Sequence, residues 1–403
     1  MLSAIRPQPD WQQRQEFFSF SFAQSIVQNI VAILYLKFRF CQAIDCFVIQ
    51  FLKMSSFPKK KATIYDLSAL CGASASTISA VLNGSWRTRR IKESTARKIQ
   101  QLADEQGYQV NLQARGLRSA RSGLVGLLLP VYDNRYFSSM AQYFQAQVQA
   151  RGQCPLVVSS GRNGNEERKL VERLIAHAID GLLIVGSADP DALHEISENA
   201  GLAHVNIDLP GSKAPSVISD NYQGAYLLTQ AIIQHAQQTS SLSANEVCFF
   251  GGHDDHASQE RIQGFMAAKH NFLGRGDEPC IYSTGYSPAL TKRTLTTFYK
   301  KNGQLPRVFF VNSSINLEGL LRFIAQYPAQ LFNHLVVGCY DYDPFASFLP
   351  FPLFMMRQNS AAMIARGLEL LDKPATQHTH TVYRITPQLV LPRTALTGPL
   401  DEL

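Results

Sequence analysis

Two stretches of this 403-residue chain concentrate side chains that could do chemistry. In the first, Ser74, Ser76, Thr77 and Ser79 place four hydroxyls within six residues, followed at once by the basic run Arg87, Arg89 and Arg90 beside Trp86. Hydroxyls and arginines at this density suit phosphates and base edges, which are met by donors, acceptors and positive charge. The second stretch, His253, Asp254, Asp255 and His256, has the look of metal-ligand spacing. It falls in the loop after an apolar run and has no second cluster, so it is read as a loop and no metal is expected. His378 and His380 lie in a polar approach to the last strand and read as solvated. No P-loop, dinucleotide fingerprint, GxSxG elbow or activated cysteine occurs, so neither a catalytic group nor a cofactor can be named. An enzyme is not expected. The seven cysteines, at 41, 46, 71, 154, 248, 280 and 339, contain no CxxC pair and point to unpaired thiols in a reducing cytoplasm.

The elements around the first stretch must be short helices. Ile64, Leu67 and Leu70 mark one face of a helix, and Cys71, Gly72 and Ala73 break it. Ser74 can cap a second helix with Ile78, Val81 and Leu82 inward and Ala75, Ser76, Ser79 and Ala80 outward, stopping at Asn83 and Gly84. A third helix opens at residues 92–94, turns Ala96, Ile99, Leu102 and Ala103 inward and ends at Gly107. Two short helices joined through a glycine turn, with a third behind them, read as a helix-turn-helix domain.

Charge agrees with that placement. The chain carries +7 overall, but residues 54–123 hold 12 Lys/Arg against 4 Asp/Glu, a net +8, while residues 124–403 hold 21 against 24, a net −3. A basic head on a slightly acidic body is what phosphate neutralisation by one domain requires. Residues 1–53 are apolar and do not belong to this scheme. Gln28, Asn29, Lys37 and Arg39 interrupt them as a membrane span, and Met54 opens a basic arm leading straight to the first helix. Translation is therefore expected to begin at Met54. If residues 1–53 are translated, the alternative is a membrane-tethered sugar-binding sensor.

From residue 124 the pattern changes to ten short apolar runs, at 124–131, 156–159, 181–186, 204–208, 216–220, 247–252, 281–285, 308–312, 335–340 and 353–356. Amphipathic stretches lie between most of them, for example at 136–150, 166–177, 223–235, 259–271, 288–300, 318–325 and 360–371. Buried strands alternating with helices predict an α/β body with parallel sheets, and ten strands are more than one comfortable sheet, so two lobes are expected. Ligands in such sheets bind beyond the carboxyl ends of the strands.

Thr63 to Leu67, Cys71 to Ser74, Ser76 to Ser79, Val81 to Gly84, Gly107 with Tyr108, Asn111, Ala114 with Arg115, and Leu117 together resemble the head and hinge of the LacI/GalR family of bacterial transcriptional repressors. The likeness continues through residues 126–130, 180–184, 261–265 and 357–359, and it leaves residues 1–53 out. Residues 86–91 and 249–252 are most similar to the fructose- and sucrose-type regulator branch. The resemblance implies a helix-turn-helix head over 54–110, a hinge over 111–123, a two-lobed periplasmic-binding-protein-like body over 124–394 and a tail over 395–403. It also implies a homodimer or tetramer on near-palindromic operator DNA, controlled by a sugar or sugar-phosphate effector, with no membrane partner.

Carried over position by position, Ala75, Ser76 and Ala80 would face base edges. Tyr65, Ser74, Thr77, Ser79, Asn83, Tyr108 and Asn111 would touch or support the phosphate backbone. Leu117 would wedge into the minor groove with Arg115 beside it. Many members have a long polar side chain, often Arg, where this chain has Ala80, so less direct base readout and more reliance on DNA shape are expected. The matching effector positions are Asn134, Tyr136, Phe137, Asp208, Arg261, Asn312, Asp341 and Gln358. Asp208, Asn312 and Asp341 each end a predicted strand, where the crevice rule places ligand contacts, and amides, carboxylates and an arginine fork suit vicinal hydroxyls. Val185 stands where some members put a polar contact.

Overall fold

The computed structural model describes residues 62–108, 121–274, 280–332, 334–373 and 380–393. The chain divides into two compact units, Met1–Val110 and Asn111–Leu403. The extension at residues 1–53 lies outside the described residues. Among those described, no helix is long and apolar enough to cross a membrane.

The first unit contains helices α1 (Ile64–Cys71), α2 (Ala75–Leu82) and α3 (Glu93–Glu105). Thr63 and Asp66 form a reciprocal capping box at the start of α1, which satisfies two otherwise orphaned amides. Gly72 ends α1 at φ 69°, a left-handed conformation that favours glycine, and Ser74 caps α2 by accepting from the Thr77 amide. Leu67, Ile78, Val81, Ala96, Ile99 and Ala103 form the core of the unit. Leu70, expected to face inward, is 59% exposed. Cys71, four residues after Leu67 and on the same helix face, packs against the core instead.

The second unit is built on two six-stranded sheets. The first holds β1 (Leu124–Leu129), β2 (Cys154–Ser159), β3 (Gly181–Val185), β4 (His204–Ile207), β5 (Ser216–Ser219) and β11 (Val382–Ile385), all parallel, in the order β11-β5-β4-β3-β1-β2. The second holds β6 (Val247–Phe250), β7 (Ile281–Tyr282), β8 (Val308–Val311), β9 (Val336–Cys339), β10 (Leu353–Arg357) and β12 (Gln388–Val390), in the order β12-β10-β9-β8-β6-β7. Only β12 runs antiparallel, on an edge. The ten predicted runs all contain strands. β11 and β12 were not among them, because each is three or four half-buried residues long and lacks a continuous apolar run.

Helices α4 (Arg135–Ala150), α5 (Gly164–Ala176), α6 (Pro190–Asn199), α7 (Asn221–Gln237), α8 (His256–Leu273), α9 (Pro288–Asn302), α10 (Ser314–Ile324) and α11 (Ser360–Leu371) cover the sheets. Each sheet has a buried cluster on both faces, which is why its strands read as unbroken apolar runs. The second lobe's core is aromatic: the Phe249 and Phe310 rings stack at 4.8 Å and Phe265 meets both edge-on. Such pairs add about 0.5–1.5 kcal/mol beyond their burial. Helices α7 and α8 pack so closely that a methyl group at Gly264 would strike the Tyr222 carbonyl.

The chain passes between the lobes three times. It leaves the first lobe after β5 at Asp220, returns after β10 through Gln358 and Asn359, and leaves again between β11 and β12 at Thr386 and Pro387. At its start the body is pinned by Asp180, whose carboxylate accepts from the amides of Ser122 (2.7 Å) and Gly123 (2.8 Å).

Candidate functional site

In the head, the Ser74 hydroxyl is bonded to Ser76 Oγ at 2.9 Å and Thr77 Oγ1 at 2.8 Å, and it caps the Thr77 amide. Ser76 is exposed, Ala75, Thr77 and Ser79 are half-buried, and Tyr65 is 74% exposed. Ala80 corrects the expectation of an outward face, being only 1% exposed. An alanine side chain ends at Cβ and cannot reach past its neighbours. The chain also folds back onto this end of the helix, with Ser85 Oγ donating to the Ala80 carbonyl and to Asn83 Oδ1. Ala80 is therefore withdrawn from the positions that could meet a base.

Asn83 closes the turn, and Tyr108 packs against the three-helix core. Arg87, Arg89 and Arg90 are exposed, with the Arg87 guanidinium 5.0 Å from the Trp86 ring. Asn111, Arg115 and Leu117 lie outside the described residues.

In the body, the carboxyl ends of the strands of both lobes face a cleft of about 840 Å³. The N-terminus of α4 brings Asn134, Tyr136 and Phe137 to it, β4 brings Asp208, α8 brings Arg261, β9 brings Asp341 and β10 brings Gln358. Asn134 Oδ1 is occupied as a helix cap, accepting from the Tyr136 amide at 2.8 Å. Asn312, the eighth expected residue, does not line the cleft: it is fully buried below it, with its carbonyl accepting from Arg261 Nη1 at 3.0 Å and its Nδ2 donating to Ser258 Oγ. Val185 is a core residue of the first lobe.

The polar groups are interlocked. Tyr136 donates its hydroxyl to Asp208 Oδ1 at 2.8 Å. Asp341 accepts from the Ser314 amide and hydroxyl and from Gln358 Nε2 at 3.2 Å. Arg261 is 4% exposed, donates Nε to Asn221 Oδ1 at 2.8 Å and lies 4.0 Å from the Tyr340 ring. Burial pushes the Asp208 carboxyl from 3.8 up to about 6, although Arg261 and the Tyr136 hydroxyl favour its charged form. Asp341 is raised as well, again by burial. Burial also disfavours the charge on Arg261, but Tyr286, Tyr340, Asp341 and Asp208 around it outweigh that, so the guanidinium is held more firmly protonated than usual. Asp208 sits at φ 76°, a left-handed conformation uncommon outside glycine, as often found where a side chain is aimed at a site.

Several cleft residues were not anticipated. Arg162, at φ 61° in an exposed turn, places its guanidinium 5.6 Å from the Phe137 ring of its own lobe and 5.1 Å from the Tyr286 ring of the other. Burial pushes the Tyr286 hydroxyl up to about 12. Neither residue carries a local signal, since each stands alone in a loop. Asp255, part of the metal-like run, caps α8 through the Ser258 amide and accepts from the Tyr286 hydroxyl, which gives that residue a structural role. Next to the crossings, Arg384 of β11 makes a two-pronged ion pair with Glu260 of α8, at 2.6 and 2.9 Å, joining the lobes.

A capped three-helix head and a two-lobed body with a cleft at the strand ends define a ligand-responsive DNA-binding protein by their architecture. Residues 125–346 match the model of the periplasmic binding protein domain. The chain is 38% identical over 238 residues to the ribitol operon repressor of Klebsiella aerogenes, a match spanning 59% of this chain and 87% of that protein. It is 28% identical over 273 residues to the sucrose operon repressor of Klebsiella pneumoniae, covering 66% and 79%. Among solved structures, the lac repressor dimer bound to operator and an anti-inducer superposes with a TM-score of 0.67 at 19% identity, covering 83% of this chain and 99% of that one. The Cra regulator of Pseudomonas putida, in complex with fructose 1-phosphate, gives 0.59 at 21% identity, covering 68% and 99%. The chain belongs to the LacI family of transcriptional repressors and carries its periplasmic-binding-protein fold.

Proposed function

We propose that residues 54–110 bind operator DNA as one half of a homodimer, that residues 111–123 form the hinge, and that the cleft within residues 124–394 takes a sugar, polyol or sugar-phosphate effector. One observation carries the effector site: Tyr136, Asp208, Arg261, Asp341 and Gln358, drawn from both lobes and from a crossing between them, converge as buried or half-buried polar groups on a single cleft. Buried polar groups are costly unless matched, so a cluster of this kind is expected where a polar ligand completes it. The 38% identity to a ribitol operon repressor supports a polyol or sugar as that ligand. Closure of the lobes around it changes the geometry at the start of the body, where Asp180 holds Ser122 and Gly123, and so biases the hinge. Effector and operator are then coupled reciprocally, each altering the affinity for the other by the same factor. In the dimer each head reads half of a near-palindromic site.

The test is selection of binding sites from random duplex DNA with the purified full chain, followed by titration of the selected site. The expected result is a near-palindromic sequence, bound with an affinity that drops steeply as salt rises and that changes when a sugar or polyol is added. Binding that shows no sequence preference would overturn the assignment.

A further inference from the structure

We infer that the cleft is built for an uncharged polyhydroxyl compound and rejects its phosphorylated counterparts; this rests on the sugar-responsive reading above and narrows its ligand class. The first ground is the supply of donors and acceptors. Gln358 is 8% exposed, and its Nε2 is committed to Asp341 Oδ1, so its Oε1 is left as a buried acceptor without a partner. Asp208 has one oxygen on the Tyr136 hydroxyl and the other beside Gly186 at the cleft wall. Acceptors at this density need a ligand that donates. Hydroxyl groups donate, whereas a phosphate dianion can only accept.

The second ground is charge. Three arginines and six carboxylates line the cleft among the described residues. The one buried guanidinium, Arg261, already spends Nε on Asn221 and Nη1 on the Asn312 carbonyl and is flanked by Asp208 and Asp341. Arg168 is 3.7 Å from the Asp189 carboxylate. Helix α5 begins at the cleft but gives an anion no opening: Asn163 Oδ1 occupies the amides of Asn165 and Glu166, and Glu166 and Glu167 fill the first turn. Arg162 alone cannot neutralise a dianion against this excess of carboxylate, and like charges brought together repel.

The experiment is calorimetric titration of the full chain at pH 7.5 with matched pairs: ribitol and ribitol 5-phosphate, D-ribulose and D-ribulose 5-phosphate, D-fructose and fructose 1-phosphate. The expected result is that at least one uncharged member binds and that its phosphorylated partner binds at least ~100-fold more weakly. A phosphorylated member binding as tightly as its uncharged partner, or more tightly, overturns this inference while leaving a sugar-type effector in place. Binding of neither member of any pair overturns it together with the effector assignment.

Discussion

The head and the cleft both work through polar side chains, under opposite conditions. In the head, the hydroxyls of Ser74, Ser76 and Thr77 satisfy one another at a surface where water can complete any remaining bond. In the cleft, the Asp208 and Asp341 carboxylates, the Gln358 amide and the Arg261 guanidinium are buried, and burial raises the pKa of both carboxyls. Burial is what separates them. A surface that meets a long polyanion works through exposed charge and register, so each contact is weak and replaceable. A buried site carries its desolvation cost before the ligand arrives, so each member is strongly coupled to the rest.

If that contrast holds, the largest effect belongs to Arg261. Arg261→Gln leaves Asp208 and Asp341 buried without the nearby cation that favours their charged forms and strips the Asn312 carbonyl of its guanidinium donor. The expected outcome is loss of the effector response in operator titrations while operator affinity stays within about twofold, provided the variant retains a cooperative thermal transition. Loss of operator binding by the folded variant would erase the distinction between the two regions.

A smaller effect comes from pH. The Asp208 carboxyl titrates near 6 in the folded chain and near 3.8 when unfolded. As pH falls from above 6 toward 4, the folded state takes up a proton that the unfolded state does not, so through this group acidification favours the fold. The same proton removes an acceptor from the cleft. Effector affinity is therefore expected to weaken by about tenfold as pH falls from 7 to 5, an inflection that Asp208→Asn should abolish. An unchanged inflection in Asp208→Asn would place its origin elsewhere.

The smallest effect is expected at the head's basic loop. Arg89→Ala should weaken operator binding evenly across sequences and lower the slope of log affinity against log salt by about 1. A change confined to particular base positions would mean that Arg89 reads bases, against the picture of a replaceable surface contact.

Much of this could be read from residue order alone. The two sheets were legible because strands buried on both faces form unbroken apolar runs, and the head was legible from the helical spacing of Ile64 and Leu67, the break at Gly72 and the cap at Ser74, which depend only on near neighbours. Asp208 and Asp341 were reached through the family resemblance, with their places at strand ends in support. Arg162 and Tyr286 were not, since 124 residues separate them and only the approach of two lobes sets one over the other. Asn312 also follows a strand, yet it turns beneath the cleft to receive Arg261.

Local sequence thus determined ten of the twelve strands, the head helices with the cap at Ser74 and the strand ends, because those depend on periodicity and on hydrogen bonds a few residues long. Tertiary structure decided which polar groups share a cavity and which carboxyl titrates near 6. It also withdrew Ala80 from the surface of its helix. Exposure, desolvation and charge pairing are properties of neighbours in space, and residue order cannot supply them until the chain has folded.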